Sequence, residues 1–204
     1  MNTVLSNLSF FFFTVLTAMF VQNMIFTRGL GVSRLVKLVG DSAVDSLTFC
    51  ALLTLVQVLS APLAYVANNL LKPEQFWYRN YIRPLVLVVC AAISFALMIL
   101  FISVFHIANR KEMLAALPSA TFNCAVLGPL LLTTTYNFTL IQTMGFAVGS
   151  GLGYGFAVII VSEGQRKFTS RNIPAAFRGL PITLVYIGIL AMAIYGLTGY
   201  RQAY

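Results

Sequence analysis

The 204-residue sequence predicts an all-α integral membrane protein: six transmembrane helices as two inverted three-helix repeats, with broken half-helices in spans 1 and 4. Three observations carry that prediction. The composition is 59% hydrophobic and only 9% charged, with a mean hydropathy of +0.89, far from an average soluble domain. Six apolar stretches each approach the ~20 residues that cross a hydrocarbon core. The fourth, Leu117-Pro118-Ser119-Ala120-Thr121-Phe122-Asn123-Cys124-Ala125-Val126-Leu127-Gly128-Pro129, carries two prolines, an amide and a thiol at bilayer depth. Lipid offers no hydrogen-bond partner, so backbone freed by Pro118, Gly128 and Pro129 must be buried in protein or line a cavity.

Span 1 covers about 4–26. It opens after Asn2 and Thr3 with no basic leader and no small-residue cleavage site, so it reads as a retained helix. Span 2, about 43–68, is interrupted by Pro62. Asp41 and Asp45 stand at its start, where carboxylates favour a helix N-terminus. In the alternative reading Asp45 lies inside the span and binds a coupling cation, because a carboxylate at depth is costly unless it is used. Trp77 and Tyr78 precede span 3 as an aromatic belt at the outer interface. Span 3, about 84–107, ends near His106, whose neighbours Arg110 and Lys111 mark a wet interface rather than a metal site.

Span 4, about 113–133, is the broken stretch. Span 5, about 138–161, carries Gly145, Gly149 and Gly153 at i, i+4 and i+8, with Gly151 and Gly155 on a neighbouring face. Small residues at that spacing let helix backbones approach closely, which predicts a central helix. A phosphate-cradling loop would need a strand before it, and none is present. Span 6 covers about 180–199.

The chain is a single domain over 1–204, with repeat one about 1–108 and repeat two about 109–204. Asn23-Met24-Ile25-Phe26 resembles Asn123-Cys124-Ala125-Val126, and Tyr81-Ile82-Arg83-Pro84 resembles Phe177-Arg178-Gly179-Leu180-Pro181. Repeats of three spans are necessarily inverted, and the interruptions of such folds meet near the midplane. Asn23 and Asn123 can bond backbone freed at the breaks, and can shape a cofactor or ion cavity as well.

Nine of the 13 basic residues follow spans 1, 3 and 5: Arg28, Arg34, Lys37, Arg110, Lys111, Arg166, Lys167, Arg171 and Arg178. The positive-inside rule then places both termini outside. The formal charge of +8 forms no sustained basic stripe, so it speaks for topology and against nucleic acid. Cys50, Cys90 and Cys124 all lie in apolar segments, which excludes a secreted-type disulfide framework; Cys50 and Cys90 read as small buried hydrophobes. One histidine and five carboxylates make no nucleophile-base-orienter set, so no catalytic residue is assigned.

Leu117-Pro118, Thr121, Asn123-Cys124-Ala125-Val126-Leu127-Gly128, Asn137-Phe138 and Ile173-Pro174-Ala175-Ala176-Phe177-Arg178-Gly179 resemble the Rnf and Nqr membrane subunits. In the first half the resemblance rests on Val21-Gln22-Asn23-Met24 and Gly29-Leu30-Gly31. Outside termini are similar to the RnfA/NqrE type. The resemblance implies a subunit of a complex in the prokaryotic cytoplasmic (inner) membrane, moving electrons between reduced ferredoxin or NADH and a partner carrier, coupled to Na⁺ or H⁺. It also implies a homologous inverted partner and other Rnf/Nqr-like subunits. In that family the two homologues share one 2Fe-2S cluster, each supplying two cysteines from its broken helices.

Cys124 matches one ligand position. The resemblance gives Asn123, Asn23, Gly29, Gly31 and Gly128 the role of shaping the broken helices around it. At the second position stands Ser33, or Thr27 in a gapped alignment, and span 3 has no carboxylate between Pro84 and His106. Three explanations remain open: a serine oxygen ligand, rescue by Cys50 or Cys90, or a cluster-free paralogue serving as a transporter or ion-pathway scaffold. The chain has no site for NADH or flavin, so it is expected to act only within a complex.

Overall fold

The computed structural model describes residues 2–39, 43–71, 79–104, 110–168, 174, 177 and 179–199. Among them every regular element is helical: α1 (Asn2–Leu16) running into a π-helical turn (Thr17–Val21), α2 (Val32–Val39), α3 (Ala43–Leu70), α4 (Arg79–Val104), α5 (Arg110–Thr121), α6 (Cys124–Thr135), α7 (Leu140–Phe168) and α8 (Leu180–Thr198). Four segments are long and apolar enough to cross a bilayer: Ser46–Leu70, Tyr81–Val104, Leu140–Lys167 and Leu180–Thr198. α5 and α6 make a fifth candidate span, bent by 47° at a break between them. Ser6–Val21 is a shorter apolar helix.

α7 is the central helix, and its glycines explain why. An added Cβ would meet the Phe11 carbonyl oxygen at 3.0 Å from Gly145, Ala18 Cβ at 2.8 Å from Gly149 and the Met19 carbonyl oxygen at 3.0 Å from Gly153. The i, i+4, i+8 stripe therefore runs parallel to α1 with the backbones almost touching, as the sequence pattern predicts. On the adjoining face Gly151 lies against Thr54 and Gly155 against Cys50, so α3 packs there antiparallel. Gly188 and Gly196 of α8 meet nothing within 4 Å among the described residues. That helix is mostly exposed and is tied on by Gln165 Nε2 donating to Thr183 Oγ1 (2.6 Å) and Tyr195 Oη donating to the Thr27 carbonyl (2.7 Å).

Three boundaries differ from the sequence reading. α3 runs unbroken through Pro62. Proline removes one backbone bond, which a packed membrane helix tolerates when its neighbours satisfy the freed group. α7 continues to Phe168, past the apolar stretch, and closes with an exposed Glu163–Arg166 pair at 3.0 Å. Finally, 32–39 is helix rather than connection. Leu35 and Leu38 are buried while Ser33 and Lys37 are exposed, so burial of one face forms α2 although its basic residues read as a loop. His106, Asp41, Trp77 and Tyr78 lie outside the described residues, and the side chain of Asp45 does too.

Candidate functional site: two helix breaks in contact

The first break begins where the π turn ends, with Gln22 N bonded to the Thr17 carbonyl at 2.8 Å. π geometry is rare and occurs mostly as a single turn within an α-helix, frequently at functional sites. Asn23, buried, then repairs the break: its Oδ1 accepts from Ile25 N (3.0 Å) and Phe26 N (3.3 Å), and its Nδ2 donates to the carbonyls of Met19 (2.9 Å) and Gly153 (3.0 Å). One helical turn follows, closed by Thr27 N to the Asn23 carbonyl (2.9 Å) and Gly29 N to the Ile25 carbonyl (3.0 Å). Gly29 (φ +65°) and Gly31 (φ +83°) adopt backbone that costs other residues ~1–2 kcal/mol, and this lets the chain turn into α2.

The second break has the same register. Asn123, with extended backbone, caps α6 through Oδ1 accepting from Ala125 N (3.1 Å), and Leu127 N bonds the Asn123 carbonyl (3.2 Å). Each asparagine thus serves the amide two positions on, and its carbonyl serves the amide four positions on, as the likeness of Asn23-Met24-Ile25-Phe26 to Asn123-Cys124-Ala125-Val126 implies.

The two breaks abut. A Cβ at Gly31 would lie 3.0 Å from Ala125 Cβ, 3.0 Å from Tyr154 Cε2 and 3.2 Å from Asn123 Oδ1; one at Gly128 would collide with Leu30 and lie 3.6 Å from Met24 Sδ. Tyr154 Oη also donates to the Gly31 carbonyl at 3.4 Å. Gly153 and Tyr154 stand at the middle of the 29-residue α7, so the junction lies deep in the bundle. Asn23, Gly31, Asn123 and Gly128 are therefore brought together. Gly29 is exposed and meets nothing within 4 Å among the described residues.

Cys124, the first residue of α6, and Ser33, the second of α2, are both exposed beside the junction. Cys50 and Cys90 are both buried within helices rather than exposed beside them. Cys50 is buried in α3 against Gly155, and Cys90 is buried in α4. Among the described cysteines, only Cys124 presents its thiol outward.

Gln57 escaped the sequence reading. It is 1% exposed at the middle of α3, and its Nε2 donates to the Ala125 carbonyl at 2.6 Å. That carbonyl lies four positions before Pro129, which has no N–H to give it, so α3 supplies the missing donor across the helix interface. A lone amide within the apolar run of span 2 was the available signal. Gln57 Oε1 has no partner among the described residues, and the gap beside it, lined by Ala61, Pro129, Thr133 and Thr143, is too narrow for a water molecule.

A bundle of apolar helices around two capped, interlocked helix breaks defines a polytopic membrane protein of the interrupted-helix class. Comparison with known families makes this specific: residues 11–200 match the family described as "Rnf-Nqr subunit, membrane protein". The chain belongs to that family. It is 27% identical over 190 residues to one of the subunits of the Na⁺-translocating ferredoxin:NAD⁺ oxidoreductase complex of Acetobacterium woodii, covering 93% of this chain and 97% of that one. With one of the subunits of the ion-translocating oxidoreductase complex of Shewanella baltica OS223 it shares 30% identity over 149 residues, covering 72% and 75%. Over 83 residues it is 34% identical to one of the subunits of the Na⁺-translocating NADH-quinone reductase of Saccharophagus degradans, 41% of each chain.

Proposed function

We propose that the chain is a membrane subunit of an ion-coupled electron-transfer complex, RnfA/NqrE-like, in the cytoplasmic (inner) membrane of a prokaryote. The observation that carries this reading is the abutment of two capped helix breaks halfway along α7, in a chain whose relatives are named as subunits of ion-translocating oxidoreductases. Backbone interrupted at that depth is kept where it lines or moves a polar path. Counting α1–α2 as one broken span and α5–α6 as another gives six spans, two inverted repeats and both termini outside. The complex would contain a homologous inverted subunit, and Na⁺ or H⁺ would be the coupling ion.

The 2Fe-2S cluster that the resemblance implies needs two thiolates from each chain, since soft sulfur donors hold iron in both oxidation states. The residues here do not fit that share. Cys124 is one outward thiol, Ser33 offers a hard oxygen, and Cys50 and Cys90 are packed into helix interfaces. No electron step is therefore assigned to this chain, whose role is that of a cluster-free scaffold for the ion pathway. Iron and acid-labile sulfide, measured with electron paramagnetic resonance on the anaerobically purified complex, test this. The expected iron content is the same with Cys124→Ser as without it; loss of iron and signal in Cys124→Ser would place Cys124 as a ligand.

A further inference from the structure

Both helix breaks are tied to two consecutive residues of α7. Asn23 Nδ2, from the first break, donates to the Gly153 carbonyl at 3.0 Å. The Asn123 side chain, from the second, hydrogen-bonds the Tyr154 hydroxyl, and since its Oδ1 already serves Ala125 N, Nδ2 is left to donate. Each asparagine therefore turns its oxygen to its own break and its amide nitrogen to α7.

The two ties differ in one respect. Gly153 supplies a backbone carbonyl, whereas Tyr154 supplies a hydroxyl whose own proton goes to the Gly31 carbonyl at 3.4 Å, back in the first break. The relay runs from Asn123 Nδ2 to Tyr154 Oη and on to the Gly31 oxygen, so one phenol bonds both breaks. The ring is held in place for this. Tyr154 is 1% exposed, lies 6.2 Å from the Phe49 ring, and stands so close to Gly31 that an added Cβ there would meet its Cε2 at 3.0 Å. Packing alone does not ask for a hydroxyl at that place, because phenylalanine presents the same ring and buries no polar atom. α1 and α3 both pack on α7 through its glycines, which makes this helix a common reference for the two breaks.

We propose that Tyr154 is a positioning residue for ion transport: its hydroxyl locks the two breaks into one body, so that they shift together and the path opens on one side only as it closes on the other. This rests on the reading of the chain as an ion-pathway subunit. A path built on interrupted helices must not be open to both sides at once, and a break that relaxes alone lets ions slip back down their gradient. Tyr154 makes and breaks no covalent bond in this role and need not touch the ion.

The test uses the whole complex in inverted membrane vesicles energised with NADH or reduced ferredoxin, and reads Na⁺ and H⁺ taken up per electron transferred. That ratio does not depend on how much complex is present, so a loss of stability alone leaves it unmoved. Tyr154→Phe removes one oxygen, keeps the ring, and is expected to lower the ratio about threefold, the shift that loss of one net hydrogen bond is worth. Asn123→Ser keeps a helix cap but is too short to reach the phenol, and it carries the test if Tyr154→Phe does not assemble. It is expected to lower the ratio by the same factor, and the double variant to lower it no further. Gly149→Ala, which strains the α1–α7 contact away from the phenol, is expected to reduce the amount of complex and leave the ratio as it was. An unchanged ratio in both Tyr154→Phe and Asn123→Ser would overturn the positioning role and leave the subunit reading intact, as would a ratio that falls equally with Gly149→Ala. Uptake of both ions that persists undiminished when the gene is deleted would overturn the subunit reading and the positioning role with it.

Discussion

At the scale of single residues, the junction is held by amides rather than by charges. Gln57 is the clearest case, because the carbonyl it serves was orphaned by a proline on another helix. Gln57→Met keeps the volume and removes the donor, leaving the Ala125 carbonyl buried and unpaired. The expected cost is about 1–2 kcal/mol, since polar contacts between membrane helices are worth less than a bare desolvation estimate. Thermal denaturation of the detergent-solubilised protein would reveal it as a lower midpoint. Asn23 and Asn123 could be picked from the sequence because they sit beside glycines and prolines that free backbone. Gln57 could not be matched to Pro129 in the same way, since they are far apart in the chain and only packing joins them.

At the scale of elements, the glycine stripe of α7 was legible because close helix approach requires small residues at one spacing, and that spacing survives in the sequence. Its consequence is a pair of opposite effects. Gly149→Ala would push a methyl to within 3.0 Å of Ala18 and the Val15 backbone, so it should destabilise by ~1–3 kcal/mol. Gly188→Ala, on a face of α8 that meets nothing within 4 Å among the described residues, should be neutral or stabilise by up to ~1 kcal/mol through helix propensity. Equal shifts in melting midpoint for the two would contradict the tight α1–α7 interface. Short α2 was not legible: Arg34 and Lys37 make Val32–Val39 look like a connection, and only the burial of Leu35 and Leu38 makes it a helix. Gly31→Ala probes where α2 meets α6, and at φ +83° with two carbons at 3.0 Å it should cost at least ~1 kcal/mol.

For the whole molecule, parity distinguishes the span counts. Four through-helices and one bent pair make five crossings and put the termini on opposite sides; adding the broken α1–α2 segment would make six and put both on the same side. Reporter fusions at the N- and C-termini should both read as external, with fusions at 105–109 internal. Composition made the membrane setting plain, and Asn123-Cys124 with its flanking prolines located the central interruption. What composition could not give was the contact between the breaks, because it is made by the turn at Leu30 and Gly31 against the first turn and cap of another helix.

Ion uptake driven by the redox reaction bears most directly on membership in an ion-coupled electron-transfer complex. Inverted membrane vesicles from cells with and without the intact gene would be energised with NADH or reduced ferredoxin, and Na⁺ and H⁺ uptake recorded against electron flow. Loss of coupled uptake on deletion, restored by the unsubstituted chain and only weakly by Gly31→Ala, is the expected result. Undiminished uptake of both ions in the deletion strain would contradict it.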